Sequence, residues 1–264
     1  MTTTSSAPVL SMTGVSKRFG AVQALKDIEF GVDSGEVVAL VGDNGAGKST
    51  LVKCIAGVYP PDDGHVVFDN SPVTITSPAQ AQELGIATVF QDLALCDNLD
   101  VVSNLYLGSE VVRNRALDEV TMEKESWRLL RELSAKIPSV RIPVASLSGG
   151  QRQTVAIARS LLGKPKVVML DEPTAALGVA QTAEVLNLVE RLRENGLGVI
   201  LISHNMSDVM AVADRVVVLR LGRNNGEFRV SDTNVQEIIA AITGATTNAV
   251  SARAARKAPQ EEQA

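Results

Sequence analysis

Short runs of β-branched and other apolar residues alternate with segments of helical periodicity along most of the chain. Four runs are almost wholly apolar, which is typical of strands covered on both faces of a sheet; they span residues 37–41, 86–90, 167–170 and 199–202. Between the last two runs, the apolar spacing over residues 179–193 predicts an amphipathic helix. The alternation of strand and helix predicts an α/β fold around a mainly parallel sheet.

Two regions interrupt this alternation. Residues 11–69 contain short alternating runs separated by turns rich in Gly and Asp, a pattern that indicates an antiparallel portion. Residues 92–164 contain no strong strand and have helix-like stretches near residues 101–107 and 122–133. We therefore expect a helical insertion between two central strands.

Composition narrows the class of protein. The chain has 264 residues, with 25 Lys or Arg against 30 Asp or Glu, and the net charge of −5 lacks the basic footprint of a nucleic-acid-binding protein. Residues 1–8 and 246–264 are polar and are predicted to be disordered, which leaves an ordered domain over residues 9–245. No apolar run is long enough for a transmembrane helix, no signal-peptide pattern is present, and the only cysteines are Cys54 and Cys96. A cytosolic location is expected.

The segment Gly-Asp-Asn-Gly-Ala-Gly-Lys-Ser over residues 42–49 fits the phosphate-binding pattern G-x-x-x-x-G-K-[ST]. It follows the first apolar strand directly and leads into a helix, which is the context that this pattern requires. Backbone N–H groups of such a loop point at phosphate oxygens, Lys48 is expected to reach the β- and γ-phosphates, and the Ser49 hydroxyl is expected to bind Mg²⁺. The alternative is an ordinary Gly-rich turn, but a chance match arises only about once in a hundred chains of this size.

Two carboxylates, Asp171 and Glu172, end the third apolar strand. Charge is costly there unless a cation or water lies beside it. Taken alone, two carboxylates at the end of a strand are more often without a catalytic role than a catalytic pair. Together with the loop at residues 42–49, it predicts that Asp171 holds Mg²⁺ through its water shell and that Glu172 orients the attacking water as general base.

A second candidate anion site occurs where Leu-Ser-Gly-Gly-Gln, residues 147–151, leads into a helix. Two glycines and a serine before a helix leave N–H groups and a hydroxyl free for an anion. The simpler interpretation is an N-capping turn, for which Ser148 is suited. That interpretation requires no particular identity at Gly149, Gly150 and Gln151.

In combination, these motifs resemble the ATP-binding subunits of ABC transporters, for which Leu-Ser-Gly-Gly-Gln is the signature. The resemblance covers about residues 9–245. It implies a P-loop NTPase fold with a RecA-like, mainly parallel core sheet, an antiparallel β subdomain and a helical signature subdomain over about residues 92–164. It also implies that Phe19 stacks on adenine, that Gln91 marks the junction with the helical subdomain, and that His204 is the switch histidine.

The resemblance implies ATP and Mg²⁺ as ligands. The catalytic group would comprise Glu172, His204, Lys48 and Gln91, and the metal would be held by Ser49, Gln91 and Asp171. The nucleotide would be bound between two protomers, since the signature lies on a helical arm too distant from its own phosphate loop. The nucleotide-binding residues would be Phe19, Gly42, Asp43, Asn44, Gly45, Ala46, Gly47, Lys48, Ser49, Thr50 and Gln91 of one protomer and Ser148, Gly149, Gly150 and Gln151 of the other.

The implied partners are a second copy of the chain or another ATPase subunit, an integral membrane permease, and through it an extracytoplasmic solute-binding protein. These place the chain on the cytoplasmic face of the plasma (inner) membrane. The segment Asp-Glu-Pro-Thr-Ala-Ala-Leu at residues 171–177 resembles that of importers of ribose, xylose, galactose and fructose type. Monosaccharide import is therefore expected; the alternatives are import of branched-chain amino acids or another small solute, or a non-transport ABC ATPase. One departure is Gly178, where the family commonly has Asp.

Overall fold

A computed structural model describes residues 8–245 of the chain. The disorder predicted for the two ends, apart from Pro8, lies outside the described residues. Within residues 8–245, no helix combines the length and apolar character needed to cross a bilayer.

The described residues form twelve strands and eight α-helices. Six of the helices begin at a residue whose side chain caps the first turn, and two of these six end at a glycine. The strands are β1 (Leu10–Phe19), β2 (Val22–Val32), β3 (Val37–Gly42), β4 (Asp63–Phe68), β5 (Ser71–Val73), β6 (Ile86–Val89), β7 (Val112–Arg113), β8 (Ala116–Leu117), β9 (Val167–Asp171), β10 (Gly198–Ile202), β11 (Arg215–Arg220) and β12 (Arg223–Arg229). The helices are α1 (Lys48–Ile55), α2 (Pro78–Leu84), α3 (Val101–Tyr106), α4 (Glu119–Glu132), α5 (Gly149–Leu161), α6 (Val179–Glu194), α7 (Met206–Val212) and α8 (Val235–Thr243).

The central sheet has the strand order β12-β11-β3-β10-β9-β6. Its last five strands are parallel to one another, and β12 pairs antiparallel with β11 at one edge. A second sheet, with the order β2-β1-β4-β5, is wholly antiparallel. Between β6 and β9 the chain forms α3, α4 and α5 and the small hairpin β7-β8.

The core lies on both faces of the central sheet, and β3 shows this most directly. Val37, Ala39 and Val41 face one hydrophobic cluster, which the apolar sides of α3 to α6 complete. Val38 and Leu40 face a second cluster, which contains α1 and the inner face of the antiparallel sheet. Because alternate residues of a strand point to opposite faces, a strand covered on both sides must be apolar throughout.

The structure confirms the four strands and the helix predicted from apolar spacing, with ends that differ by a residue or two. It also confirms the antiparallel portion near the N-terminus. One expectation is wrong in part: β6 lies at the edge of the sheet and ends at Val89, so Phe90 is 39% exposed and not covered on both faces. The buried strand β11 adds a fifth parallel member.

Candidate functional site

Four neighbouring strands of the central sheet end at one edge, where the segments that follow them meet. The parallel registers align the carboxyl ends of β3, β10, β9 and β6. The segments after these strands hold, in that order, residues 43–50, His204, Glu172 and Gln91. Ligands of open α/β sheets bind at this edge. The predicted catalytic residues, from four separate stretches of sequence, thus follow the ends of neighbouring strands at this edge.

Residues 42–47 make a tight connection from β3 to α1 that needs glycine at two positions. A Cβ atom on Gly42 would lie 2.3 Å from the carbonyl oxygen of Leu219. Gly47 has a φ of 107°, and a Cβ there would lie 2.9 Å from the carbonyl oxygen of Ala24. No side chain caps the N-terminus of α1. Because the first-turn amides of a helix have no partner within the helix, they form a ready site for a phosphate group.

The side chain of Lys48 lies over this loop. Its Nζ donates hydrogen bonds to the carbonyl oxygens of Gly42 at 2.6 Å and Asp43 at 3.1 Å. Burial lowers the pKa of Lys48, while the carboxylates of Glu172, Asp43 and Asp171 act in the opposite direction. A phosphate oxygen is a stronger acceptor for an ammonium group than a carbonyl oxygen is. Lys48 is therefore placed to turn toward a phosphate bound in the loop.

A cavity of about 390 Å³ lies against the phosphate loop. Sequence patterns predicted the part of its wall from Asn44 to Thr50 and missed two other parts, at the start of β2 and in the β11–β12 turn. The turn is fixed to the loop, because the N–H of Gly222 donates to the Ala46 carbonyl oxygen at 3.0 Å. The lining residues are Val22, Gln23, Ala24, Asn44, Gly45, Ala46, Gly47, Lys48, Ser49, Thr50, Leu221 and Gly222.

Phe19 is an exposed aromatic beside this cavity. It ends β1, is 42% exposed, and pairs in register with Val22, which lines the cavity and is 64% exposed. Cross-strand partners carry their side chains on the same face of a sheet. The ring of Phe19 packs edge-on against Tyr59, with centroids 5.0 Å apart. Phe19 is thus held in place by Tyr59, with the Lys17 Nζ over its ring at 5.8 Å from the centroid, and remains partly exposed to solvent.

Asp171, the last residue of β9, is a half-buried carboxyl. Burial raises its pKa, the neighbouring charge of Glu172 raises it further, and Lys48 and Lys53 lower it. In this environment, a nearby cation would stabilise the ionised form of the carboxyl group. Within the described residues no group of three or more His, Cys, Asp or Glu side chains forms a complete metal site. Mg²⁺ is usually held by one or two carboxylates and takes its other ligands from water and phosphate, so a single carboxylate such as Asp171 is compatible with a magnesium site.

Glu172 and His204 are in direct contact. The Nδ1 atom of His204 lies 2.8 Å from Oε2 of Glu172, and the side chains are 76% and 16% exposed, respectively. Glu172 also has a φ of 50°, an uncommon conformation for a residue with a side chain, and its N–H donates to the Ile202 carbonyl oxygen at 2.9 Å. The acid predicted as general base is therefore well sheltered, and the histidine reaches it from the solvent side.

Gln91 is exposed in the segment after β6. The chain that follows is held to α5 by Arg159, whose guanidinium donates to the carbonyl oxygens of Leu93 at 3.0 Å and Ala94 at 2.9 Å. Burial lowers the pKa of Arg159. This contact ties the segment after Gln91 to the helix that carries the signature turn. Arg159 was not predicted from sequence, because its partners are backbone atoms about 65 residues away.

The signature turn is a capping box. The N–H of Gln151 donates to Oγ of Ser148 at 3.3 Å, and the N–H of Ser148 donates to Oε1 of Gln151 at 2.9 Å. The N-capping interpretation of Ser148 is therefore correct for this chain on its own. None of residues 148–151 lines the cavity beside the phosphate loop. The structure does not bring these residues to the nucleotide cavity of their own chain.

The two signature glycines pack against the start of α6. A Cβ on Gly149 would lie 2.8 Å from Cδ2 of Leu177, and one on Gly150 would lie 3.2 Å from Cβ of Gln181. Gly178 occupies the N-cap position of α6, is exposed, and has nothing within 4 Å of the place where its Cβ would be. The signature turn and the loop after Glu172 thus form one packed unit, with Gly178 at its surface.

Comparison with known proteins gives a consistent result. The family described as ABC transporter matches residues 25–175. The chain is 45% identical over 235 residues to the xylose/arabinose import ATP-binding protein XylG of Sulfolobus acidocaldarius, covering 89% of this chain and 94% of that protein. It is 42% identical over 246 residues to the fructose import ATP-binding protein FrcA of Rhizobium meliloti, covering 90% and 95%.

Solved structures agree with the fold. A nucleotide-free ATP-binding cassette from an ABC transporter superposes with a TM-score of 0.78 at 27% identity, covering 91% of this chain and 96% of the other. A dimeric cassette, MJ0796, in a post-hydrolysis state with ADP and phosphate superposes with a TM-score of 0.69 at 25% identity, covering 84% and 98%. The P-loop fold with a mainly parallel core, an antiparallel sheet and inserted helices is that of these cassettes.

Proposed function

The chain belongs to the ABC transporter ATP-binding family, and from that premise we propose that it hydrolyses ATP to drive the import of a monosaccharide through a separate permease. One observation supports the chemistry: the phosphate loop, Glu172, His204 and Gln91 follow the ends of neighbouring strands at one edge of the central sheet, and His204 contacts Glu172. The transported solute is argued from similarity alone, since the relatives at 42–45% identity are import proteins for xylose, arabinose and fructose.

The phosphate loop binds the triphosphate through its backbone amides and Lys48. Phe19 stacks on the base, and its cross-strand partner Val22 supplies an apolar wall next to the phosphates. Base stacking on an aromatic ring contributes about 1–3 kcal/mol and needs no base-specific hydrogen bond. These contacts bind the substrate in its ground state and set its position for hydrolysis.

Glu172 accepts the proton of the attacking water. Its low exposure limits the water that surrounds it, and the 2.8 Å contact with His204 fixes the direction of one carboxylate oxygen. The His204 side chain is otherwise largely exposed, so that its Nε2–H group is free to donate to a phosphate oxygen. Positioning of this kind, together with charge stabilisation by Lys48, supplies most of the rate enhancement in phosphoryl transfer.

Asp171, Ser49 and Gln91 are the residues that would hold Mg²⁺. Asp171 supports this assignment through its half-buried position at the end of β9, where a bound cation would offset the cost of burying the carboxylate. Ser49 lines the nucleotide cavity as the first hydroxyl after Lys48. When bound with ATP, the metal neutralises charge on the phosphates.

Two protomers are needed for a complete site. Ser148, Gly149, Gly150 and Gln151 do not line the cavity of their own chain, and we propose that they contact the nucleotide bound to a partner protomer. A dimeric arrangement is known for the cassette MJ0796. The second protomer is a copy of this chain or a different ATPase subunit, and closure of the pair around ATP transmits force to the permease.

The proposed location is the cytoplasmic face of the plasma membrane, where the permease holds the subunit. The direct test is reconstitution of the chain in liposomes with the permease and the solute-binding protein that purify with it. ATP-dependent uptake of xylose, arabinose, fructose, ribose or galactose supports the proposal. Uptake of branched-chain amino acids in place of these sugars contradicts the solute, and sugar uptake without ATP contradicts the mechanism.

A further inference from the structure

The loops that carry Glu172 and His204 are joined by a second side-chain contact. The hydroxyl of Thr174, two residues after Glu172, donates to Oδ2 of Asp208 at 2.7 Å. Asp208 lies four residues after His204, in the first turn of α7. We propose that Thr174 and Asp208 are positioning residues for ATP hydrolysis, and that their hydrogen bond holds Glu172 in register with His204. This inference rests on the proposed ATPase function.

The burial of Asp208 is the first argument. Asp208 is 5% exposed, and within residues 8–245 it is the only acidic residue that is buried. A buried carboxylate is costly unless it is well paired by hydrogen bonds. A hydroxyl that donates to a carboxylate makes a short, charge-assisted hydrogen bond. The hydrogen bond from Thr174 satisfies this buried carboxylate and fixes the distance between the two loops.

The backbone of the loop is the second argument. Glu172 adopts a φ of 50° and Ala176 one of 58°, and such conformations persist only where the surroundings hold them. Within the loop, the N–H of Ala175 donates to the Glu172 carbonyl oxygen and the N–H of Leu177 donates to that of Thr174. These bonds shape the turn, and the Thr174 side chain links the shaped turn to a neighbouring element.

The third argument is that the partner element is itself fixed to His204. Asn205 caps α7, since its side-chain oxygen accepts from the N–H of Ser207 at 3.0 Å. The N–H of Asn205 donates to Oγ of Ser203 at 3.0 Å, and Ser203 is buried. His204 therefore sits in a short, tightly bonded connection between β10 and α7. A displacement of α7 relative to the Thr174 loop would move His204 away from Glu172.

The competing explanation is that the pair only stabilises the fold. A purely structural role predicts that activity follows thermal stability in every variant. A positioning role predicts that kcat falls while the KM for ATP is little changed, because the phosphate loop and Phe19 remain intact. The two explanations predict different kcat values for a variant that regains stability without regaining the hydrogen bond.

Three variants separate them: Thr174→Val, Thr174→Ser and the double variant Thr174→Val with Asp208→Leu. Val has nearly the shape of Thr but no hydroxyl, Ser retains the hydroxyl, and the double variant removes both polar groups. Replacing both partners of a buried hydrogen bond by apolar groups leaves no unpaired charge, so the double variant should fold even if Thr174→Val alone does not. ATP turnover, the KM for ATP and Tm are measured for each, with wild type and Glu172→Gln as references.

We expect kcat to fall about 10- to 100-fold in Thr174→Val and in the double variant, with the KM for ATP within about threefold of wild type. Thr174→Ser should restore kcat to within about threefold. The inference is overturned if the double variant combines wild-type Tm with wild-type kcat, or if Thr174→Ser is as slow as Thr174→Val. An inactive wild-type chain, or an active Glu172→Gln, would instead reject the proposed function, so the two failures are distinguishable.

Discussion

The imidazole of His204 lies against the carboxylate of Glu172, with Nδ1 2.8 Å from Oε2. The side chain of His204 is largely exposed, whereas that of Glu172 is largely buried. In the proposed mechanism, the histidine links the sheltered acid to the γ-phosphate. Because this contact occupies the Nδ1 side of the imidazole, the Nε2 side is the one left for a nucleotide.

Replacement of His204 by alanine should lower kcat by about 10²-fold and change the KM for ATP little, because the phosphate loop and Phe19 supply most of the proposed ground-state contacts with ATP. The loss should not add to that of Glu172→Gln, since the two residues act as a unit. Steady-state ATP hydrolysis of the two single variants and the double variant measures this. Losses that multiply would show that His204 acts independently of Glu172.

Replacement of Phe19 by alanine should weaken ATP binding about 5- to 150-fold, which corresponds to the loss of about 1–3 kcal/mol of stacking. Because the proposed role of Phe19 is to bind the base and not to act on the bond that is broken, kcat at saturating ATP should stay near that of wild type. Phe19→Trp is the matched control and should retain affinity. A large loss of kcat at saturating ATP would contradict a role limited to stacking.

Replacement of Asp171 by asparagine should have opposite effects on stability and activity. The pKa of Asp171 is raised in the folded chain, so the unfolded chain releases the proton more readily. The ionised carboxylate therefore destabilises the fold above its unfolded pKa, and the penalty grows as the pH rises through the interval up to the folded pKa.

For that reason, Asp171→Asn should raise Tm by a few degrees at neutral pH in protein free of metal and nucleotide. The same variant should lose Mg²⁺-dependent ATP hydrolysis. At a pH well below the usual range of an aspartate, the difference in Tm should disappear. Thermal unfolding across pH measures this, and a variant less stable than wild type at neutral pH would contradict the assigned environment of Asp171.

Replacement of Gly178 by aspartate should be tolerated, because its φ is −73° and nothing lies within 4 Å of the new Cβ. Aspartate is also a better N-cap than glycine by a few tenths of a kcal/mol or more, so Tm should stay the same or rise slightly. The effect on function should appear in the cooperativity of ATP hydrolysis more than in nucleotide affinity. An unchanged Hill coefficient would count against a role for this position between the two sites.

Much of this architecture could be predicted from local patterns. The strands β3, β9 and β10 are recognisable because burial on both faces requires a continuous apolar run, and the phosphate loop because its glycines have no substitute. The signature turn and the carboxylates at the end of β9 follow from the same kind of local chemistry. Because these patterns are local, the candidate site residues can be predicted from the sequence alone.

The residues that were missed make contacts between distant parts of the chain. Leu221 and Gly222 reach the cavity only because β11 pairs with β3. Thr174 and Asp208 are separated by 34 positions, and no periodicity relates a hydroxyl to a carboxylate at that distance. Arg159 binds backbone carbonyl groups, which every residue possesses. Such tertiary contacts leave no signature in a single sequence.

The central claim is that this chain is an ATPase in which Glu172 is the general base. The most direct measurement compares ATP binding and turnover in wild type and Glu172→Gln, which preserves the shape of the side chain but not its charge. We predict ATP affinity within about threefold of wild type, a fall in kcat of at least about 10²-fold, and a closed dimer that persists with ATP. Wild-type turnover by Glu172→Gln would contradict the account.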